Sequence, residues 1–171
     1  MKYFIFLSCI LFFIPNISLP QLKVGYVDSD TILDNLPDAQ DARQKLEALI
    51  QEWQNELRNM ETDIKAKRDD FEKRKLIMTE QTSKETEEEI TKLEGELATF
   101  RDKKFGTNGE IFQKQNELMK PIQNKVFNTI QQIAIEEDLD FVFDRSGDIM
   151  FLYAKEDYDL TAKVIERLKL E

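Results

Sequence analysis

From Ala39 to Met78 apolar residues recur at steps of three, four or seven: Ala42, Leu46, Leu49, Trp53, Leu57, Met60, Ile64, Phe71 and Met78. That rhythm is the seam of a coiled coil. A second run follows through Ile90, Leu93, Leu97, Phe100, Ile111, Leu118, Ile122, Ile130 and Ile133, again on one helix face. The spacings predict two long helices packed as an antiparallel hairpin. Thr79 to Thr82 lacks seam residues, and Thr82-Ser83-Lys84-Glu85 fits a capping box, which places the hairpin tip near residue 80.

Reflecting the chain about that tip sets the start of the first helix, near residue 39, against Pro121. A proline inside a helix removes a hydrogen bond and bends the axis, here where the hairpin would enter its base. The same reflection sets Gly106 and Gly109 beside Trp53. A loop is one reading of Gly-Thr-Asn-Gly; the reading favoured from the sequence is a continuous but weakened helix with hinge character, each glycine costing about 1 kcal/mol relative to alanine. Leu76-Ile77-Met78 interrupts a charged stretch. Met78 continues the step from Phe71 and is placed inside the hairpin. Leu76 and Ile77 point away from the seam, either closing the turn or standing open to a partner.

Strand patterns flank the hairpin. Leu22–Asp28 alternates, with Val24 and Tyr26 on one face, and Asp140–Asp144 does the same with Phe141 and Phe143. Ile149–Ala154, including Ile149 and Phe151, is apolar throughout and predicts a strand buried on both faces. Arg145-Ser146-Gly147-Asp148 would join the last two as a hairpin turn. Asp30–Leu36 reads as a short helix stopped by Pro37. Leu160, Val164, Ile165 and Leu168 form the stripe of a terminal amphipathic helix. The predicted class is α+β, mostly α: a base from residues 21–38 and 122–171, with a hairpin from 39–121 projecting roughly 60 Å. So small a base closes its core marginally and leaves strand edges open, so completion by further copies of the chain is expected.

The first twenty residues differ in kind. Lys2, an apolar run from Tyr3 to Ile14, then Pro15 and polar residues make a secretory leader, expected to be cut between Ile17 and Gln21. The run is short for a membrane span of about 20 residues, so no stable insertion is expected after cleavage. Cys9 lies inside it, too early to be a lipidation site. Beyond the leader the chain has neither cysteine nor histidine, which excludes disulfides, thiol nucleophiles, imidazole bases and His-ligated metals. The net charge is -10, one more negative without Lys2, and argues against nonspecific binding to nucleic acid or anionic lipid.

"GYVDSDTIL" places Asp28 and Asp30 after an apolar strand, like the start of haloacid dehalogenase-type phosphatases. Thr31 sits one place too early for that pattern, and no repeating βαβ units follow to complete such a site. Capping of the short helix by Asp28, Ser29 or Asp30 is the favoured reading. With no Gly-rich phosphate loop, neither ATP nor another cofactor is expected. Lys73-Arg74-Lys75, flanked by acids, reads as a solvated face.

The ordered segments "KVGYVDSDTILDNLPDAQDARQKLE", "FGTNGEIFQKQNELMKPIQNKVFNTIQQIA", "DLDFVFDRSG" and "MFLYAKEDYDLTAKVIERL" resemble the Skp/OmpH family of periplasmic chaperones over nearly the whole chain after the leader. The resemblance implies a homotrimer whose β-barrel body projects three helical tentacles around a cavity. It implies a holdase that keeps unfolded outer-membrane proteins from aggregating without ATP. In that reading Leu76, Ile77, Phe100 and Phe105 meet the client, while Val24, Tyr26, Phe141, Phe143, Ile149 and Phe151 build the trimer body. The family's best-studied members are basic and this chain is acidic, so no lipopolysaccharide site is carried over. A structural coiled-coil spacer of the envelope is the alternative.

Overall fold

The computed structural model describes residues 22–147 and 151–170. The chain runs β1 (Val24–Val27), α1 (Ser29–Asp34), α2 (Pro37–Arg74), a 3-10 turn (Lys75–Ile77), α3 (Glu80–Phe105), α4 (Glu110–Glu136), β2 (Phe141–Asp144), a second 3-10 turn (Glu156–Tyr158) and α5 (Thr161–Leu170). Pro37 opens α2 rather than only stopping α1. At the first helical position its missing N–H removes no intrahelical bond, and its φ is already helical. The 38 residues of α2 contain no later proline or glycine and extend about 57 Å.

The tip differs in detail from its prediction. The α-helix stops at Arg74, three residues of 3-10 helix follow, and Met78 is extended (φ -82, ψ 154). Met78 therefore lies beyond the helix and is only partly covered, not set within the seam. Thr79, not Thr82, caps α3: its Oγ1 accepts the Thr82 N–H at 3.2 Å. Thr82 has the right residue type but sits in the first helical turn. The return helix is in register with the outgoing one. Glu61–Arg101, Arg68–Glu94 and Lys75–Glu87 are ion pairs symmetric about position 81. Exposed pairs contribute at most about 1 kcal/mol each, so burial of the seam decides the register. Trp53, Ile64, Phe71 and Ile90 are buried, with Leu46, Leu49, Leu57, Met60, Leu93 and Leu97 partly covered between them.

The second helix is not continuous. It stops at Phe105 and restarts at Glu110. Neither flanking glycine is in the left-handed region (Gly106 φ -64, Gly109 φ -67); what glycine supplies here is space. A Cβ on Gly106 would lie 2.4 Å from the Asp102 carbonyl oxygen, and one on Gly109 2.7 Å from that of Lys104. Helix α4 then runs unbroken through Pro121. It ends in a Schellman turn, with the Asp138 N–H donating to the Ile135 carbonyl (3.2 Å) and the Leu139 N–H to that of Ala134 (2.9 Å). Asp138 takes the left-handed φ of 54° that such turns normally give to glycine.

In the base, β1 and β2 pair in parallel, Val24 with Phe141 through Val27 with Asp144. The predicted hairpin of β2 with Ile149–Ala154 is not formed by the described part of that segment. Ile149 and Met150 lie outside the described residues, Phe151–Ala154 is in no strand, and Leu152 and Tyr153 are exposed rather than buried. The other edge of β1 is met instead by the chain entering α5, where the Leu160 N–H donates to the Tyr26 carbonyl at 2.9 Å. One sheet face, with Val27 and Val142, packs on a core of Ile32, Val126, Ile133 and Val164. Each such side chain contributes about 1.5–3 kcal/mol when buried. A Cβ on Gly25 would come within 2.9 Å of Leu160 and 3.0 Å of Leu139, so this glycine lets both leucines close on the strand. Two paired strands are not a closed barrel, and their second face stays open.

The left-handed residue yields a stability test. Asp138→Gly relieves the unfavourable φ, whereas Asp138→Ala keeps it, and both lose the ion pair to Lys23. The glycine variant is expected to be about 1 kcal/mol more stable than the alanine variant in urea unfolding. Equal midpoints would contradict the assignment.

Candidate functional site

At the far end of the hairpin Leu76 is 96% exposed and Ile77 84%. The 3-10 turn carries both outward, so neither closes the turn. Around them Arg74 pairs with Asp70 (3.3 Å) and Lys75 with Glu87 (3.4 Å). Lys75 also lies 5.2 Å from the centre of the Phe71 ring. The cations are thus mostly answered by neighbouring acids, leaving two bare aliphatic side chains as the tip's distinctive chemistry.

Phe100 and Phe105, expected to meet the client together with Leu76 and Ile77, sit away from the tip. Both are partly covered, next to the helix break. There Lys104 places its ammonium 4.2 Å from the Trp53 ring centre and 5.8 Å from that of Phe100. Across the break Glu110 pairs with Lys104 and, at 3.5 Å, with Lys103. The Lys104 hydrogen bond holds the Glu110 carboxyl below its ordinary range, against a smaller opposing effect of desolvation. One lysine therefore ties α2, α3 and α4 together at the level of the only tryptophan.

The second face of the sheet gathers aromatic residues expected in the body, Tyr26, Phe141 and Phe143 from alternation and Phe151 from the apolar run. Phe141 and Phe143 stack at 6.3 Å between ring centres, Phe143 meets Phe151 edge-on at 6.2 Å, and Phe151 lies 6.1 Å from Tyr26. Phe141 is 54% and Phe143 37% exposed. A concavity of about 630 Å³ opens along this face, lined by Val24, Tyr26, Phe143, Phe151 and Tyr158 among others. Phe112 and Phe127 on α4 are further exposed aromatics. They were missed because they lie off the seam and no strand pattern marks them.

Where the two strands end, a polar knot binds the segments of the base together. Asp28 caps α1 by accepting the Thr31 N–H (2.9 Å), and Arg145 donates to its other oxygen (3.1 Å). The Asp28 N–H donates to the Thr161 hydroxyl at 2.9 Å. Asp144, at the end of β2, accepts from the Ser29 N–H (3.1 Å) and hydroxyl (2.6 Å) and from the Ser146 N–H (3.0 Å) and hydroxyl (2.8 Å). Burial pushes the Asp144 carboxyl up, but the bonds from Ser29 and Ser146 outweigh it and hold it low. The Thr31 N–H, then Arg145, hold Asp28 low against desolvation. Asp28 is thus a cap, not a nucleophile. Asp30 is exposed on α1 and not drawn into the knot. Among the described residues no cluster of three or more acidic or thiol ligands could hold a metal, and no helix is long and apolar enough to cross a membrane.

This arrangement of long paired helices over a small two-stranded base is one that known proteins share. The family model described as "Outer membrane protein (OmpH-like)" matches residues 23–168. The chain belongs to the OmpH-like family. It is 26% identical over 157 residues to the chaperone protein Skp of Yersinia enterocolitica, covering 89% of each chain. It is 25% identical over 152 residues to that of Pectobacterium atrosepticum, covering 86% of each. These relatives are chaperones, not enzymes. The crystal structure of an OmpH-like protein from Caulobacter crescentus superposes with a TM-score of 0.73 over 90% of this chain and 87% of that one, at 14% identity. The mostly helical fold is therefore the OmpH-like one.

The knot makes acid stability testable. Asp28 and Asp144 have folded pKa values below their unfolded ones, near 4. Their contribution is present above that range and is lost as pH falls through the depressed values. At fixed protein concentration the urea midpoint is expected to fall below pH 4, and Asp144→Asn to flatten that fall while lowering the midpoint at pH 7. An unchanged pH profile in the variant would remove Asp144 from the account.

Proposed function

We propose that this protein is an ATP-independent holdase that binds unfolded outer-membrane proteins in the periplasm and prevents their aggregation. Kinship with chaperones named Skp supports the class. The observation that carries the reading here is the hairpin itself, extending α2 for 38 residues and ending in bare Leu76 and Ile77. Three chains assemble through the aromatic faces built on Tyr26, Phe141, Phe143 and Phe151, which suits Phe141 and Phe143, the rings that would otherwise face water. Three hairpins then enclose a client, and many weak apolar contacts add through high effective concentration. No nucleotide is consumed, because holding an unfolded chain needs contact area and not chemistry. Export depends on the leader in residues 1–20.

Dilution of a urea-unfolded outer-membrane β-barrel protein into buffer tests the function. Light scattering from aggregates is expected to vanish near one trimer per client. No suppression at any ratio would favour an envelope spacer instead. The tip has its own test: Leu76→Ser with Ile77→Ser is expected to weaken client binding about tenfold, the effect of roughly 1–2 kcal/mol of lost apolar contact. The oligomeric mass should not change. Unaltered binding, or a lost assembly, would refute the role of the tip.

A further inference from the structure

The segment between α3 and α4 holds the one Asn-Gly pair of the chain, Asn108-Gly109. Such a pair carries its own chemistry. The backbone nitrogen of the second residue lies within ring-closing reach of the first residue's side-chain amide, and glycine puts no Cβ in the way. The other asparagines among the described residues are followed by larger residues. Asn55, Asn59, Asn116, Asn124 and Asn128 sit inside helices, where the following N–H is committed to the helix ladder. Asn35 donates its own side-chain amide to the Thr31 carbonyl at 2.8 Å. Asn108 differs on each count. It is exposed between two helices, on a groove of about 520 Å³ that Asp102, Lys103 and Gln113 also line. Its side-chain amide makes no hydrogen bond among the described residues; the one bond to this residue from a side chain reaches its backbone carbonyl.

We propose that Asn108 is a self-modification site, converted to aspartate and isoaspartate by attack of the Gly109 nitrogen, and that the peptide unit joining the two residues is the gate that sets the rate. The Gly109 nitrogen bonds to the Asn108 Cγ and gives up its proton to solvent. The Cγ–Nδ2 bond breaks, and Nδ2 takes up a proton and leaves as ammonia. Water then opens the resulting succinimide ring at either carbonyl. Breaking the new bond restores the main chain with an aspartate; breaking the original peptide bond leaves an isoaspartyl link, with the chain running through the side chain. Water in and ammonia out balance the reaction.

Ring closure requires the 108–109 peptide unit to turn, and because it is planar its two ends turn together. Both ends are pinned. The Gly109 N–H donates to the Gly106 carbonyl at 2.8 Å, and the Asn108 carbonyl accepts from Gln113 Nε2 at 3.2 Å. While both bonds hold, the Gly109 proton is committed and the plane cannot swing toward Cγ. The aspartyl product suits its place: α4 has no side-chain cap, and negative charge is favoured near a helix N-terminus. The isoaspartyl product adds a methylene to the backbone between the two pins, so it cannot keep both. The proposal concerns this turn alone and stands apart from the proposed client binding.

Incubation of the full chain at mildly alkaline pH, followed by peptide mass mapping and an isoaspartate methylation assay, reads the conversion at each asparagine. In the folded protein Asn108 is expected to convert ahead of every other asparagine, yielding both products, and Asn108→Gln to abolish the isoaspartate signal. Unfolding in guanidinium chloride removes both pins and is expected to speed conversion at Asn108 about tenfold or more. Gln113→Ala removes one pin from an exposed helical position, so the fold is kept, and is expected to speed conversion in the folded protein about threefold. Conversion at Asn108 no faster than at Asn116 or Asn124 in the folded protein would overturn the site. Equal rates in folded and unfolded chains, or an unchanged rate in folded Gln113→Ala, would overturn the gate.

Discussion

The parallel pairing of Val24–Val27 with Phe141–Asp144 is the constraint from which the rest of the molecule follows. Parallel neighbours cannot be joined by a tight turn; they need a crossover connection. Here the crossover is the entire hairpin, α2 out and α3–α4 back. The two segments that flank the hairpin are thereby forced together at one place, and the helices are forced to leave from it. Asp28, Ser29, Asp144, Ser146 and Thr161 fix that junction with hydrogen bonds, and Ile32, Ile133 and Val164 bury its apolar side. A sheet of two strands has one face to give to this core. The other face, with its phenylalanines, remains, and in the proposed assembly other copies cover it.

Stability and reach are divided along the chain accordingly. The base holds the densest core, with Ile32, Ile133 and Val164 fully buried. Along the hairpin, single large residues such as Trp53, Ile64 and Phe71 bury in turn, so each level of the hairpin is held mainly by its own rung. That arrangement tolerates a local break, because losing one rung does not unzip the next. It also accommodates wide sequence divergence. A fold specified by the period of apolar positions survives at 14% identity to a structure it matches over 90% of its length.

What could be read in the sequence follows from how far each signal reaches. Helix periodicity repeats over tens of residues, and the two hairpin helices, α5 and the alternation in β1 and β2 stand out. Sheet pairing is non-local. Alternating Phe141 and Phe143 identify a strand but not its partner, so the adjacent apolar segment was a natural choice over a β1 more than a hundred residues away. Local chemistry failed where two residues of the same type compete: Thr79 and Thr82 are both capping threonines, and a difference of three residues decides whether Met78 is in or out of the seam. At Gly106–Gly109 helix propensity favours a weakened helix only by counting residues one at a time. The close approach of the Asp102 and Lys104 carbonyls is a property of the folded turn. Asp138 in a left-handed turn and the four bonds to Asp144 carry no sequence motif at all.

The central claim is that the open aromatic face is covered by further copies of the same chain. Multi-angle light scattering of the purified protein at micromolar concentration tests it most directly. The account predicts a single species of three times the chain mass. A monomer would contradict it, leaving Phe141 and Phe143 facing water and the hairpins with nothing to enclose.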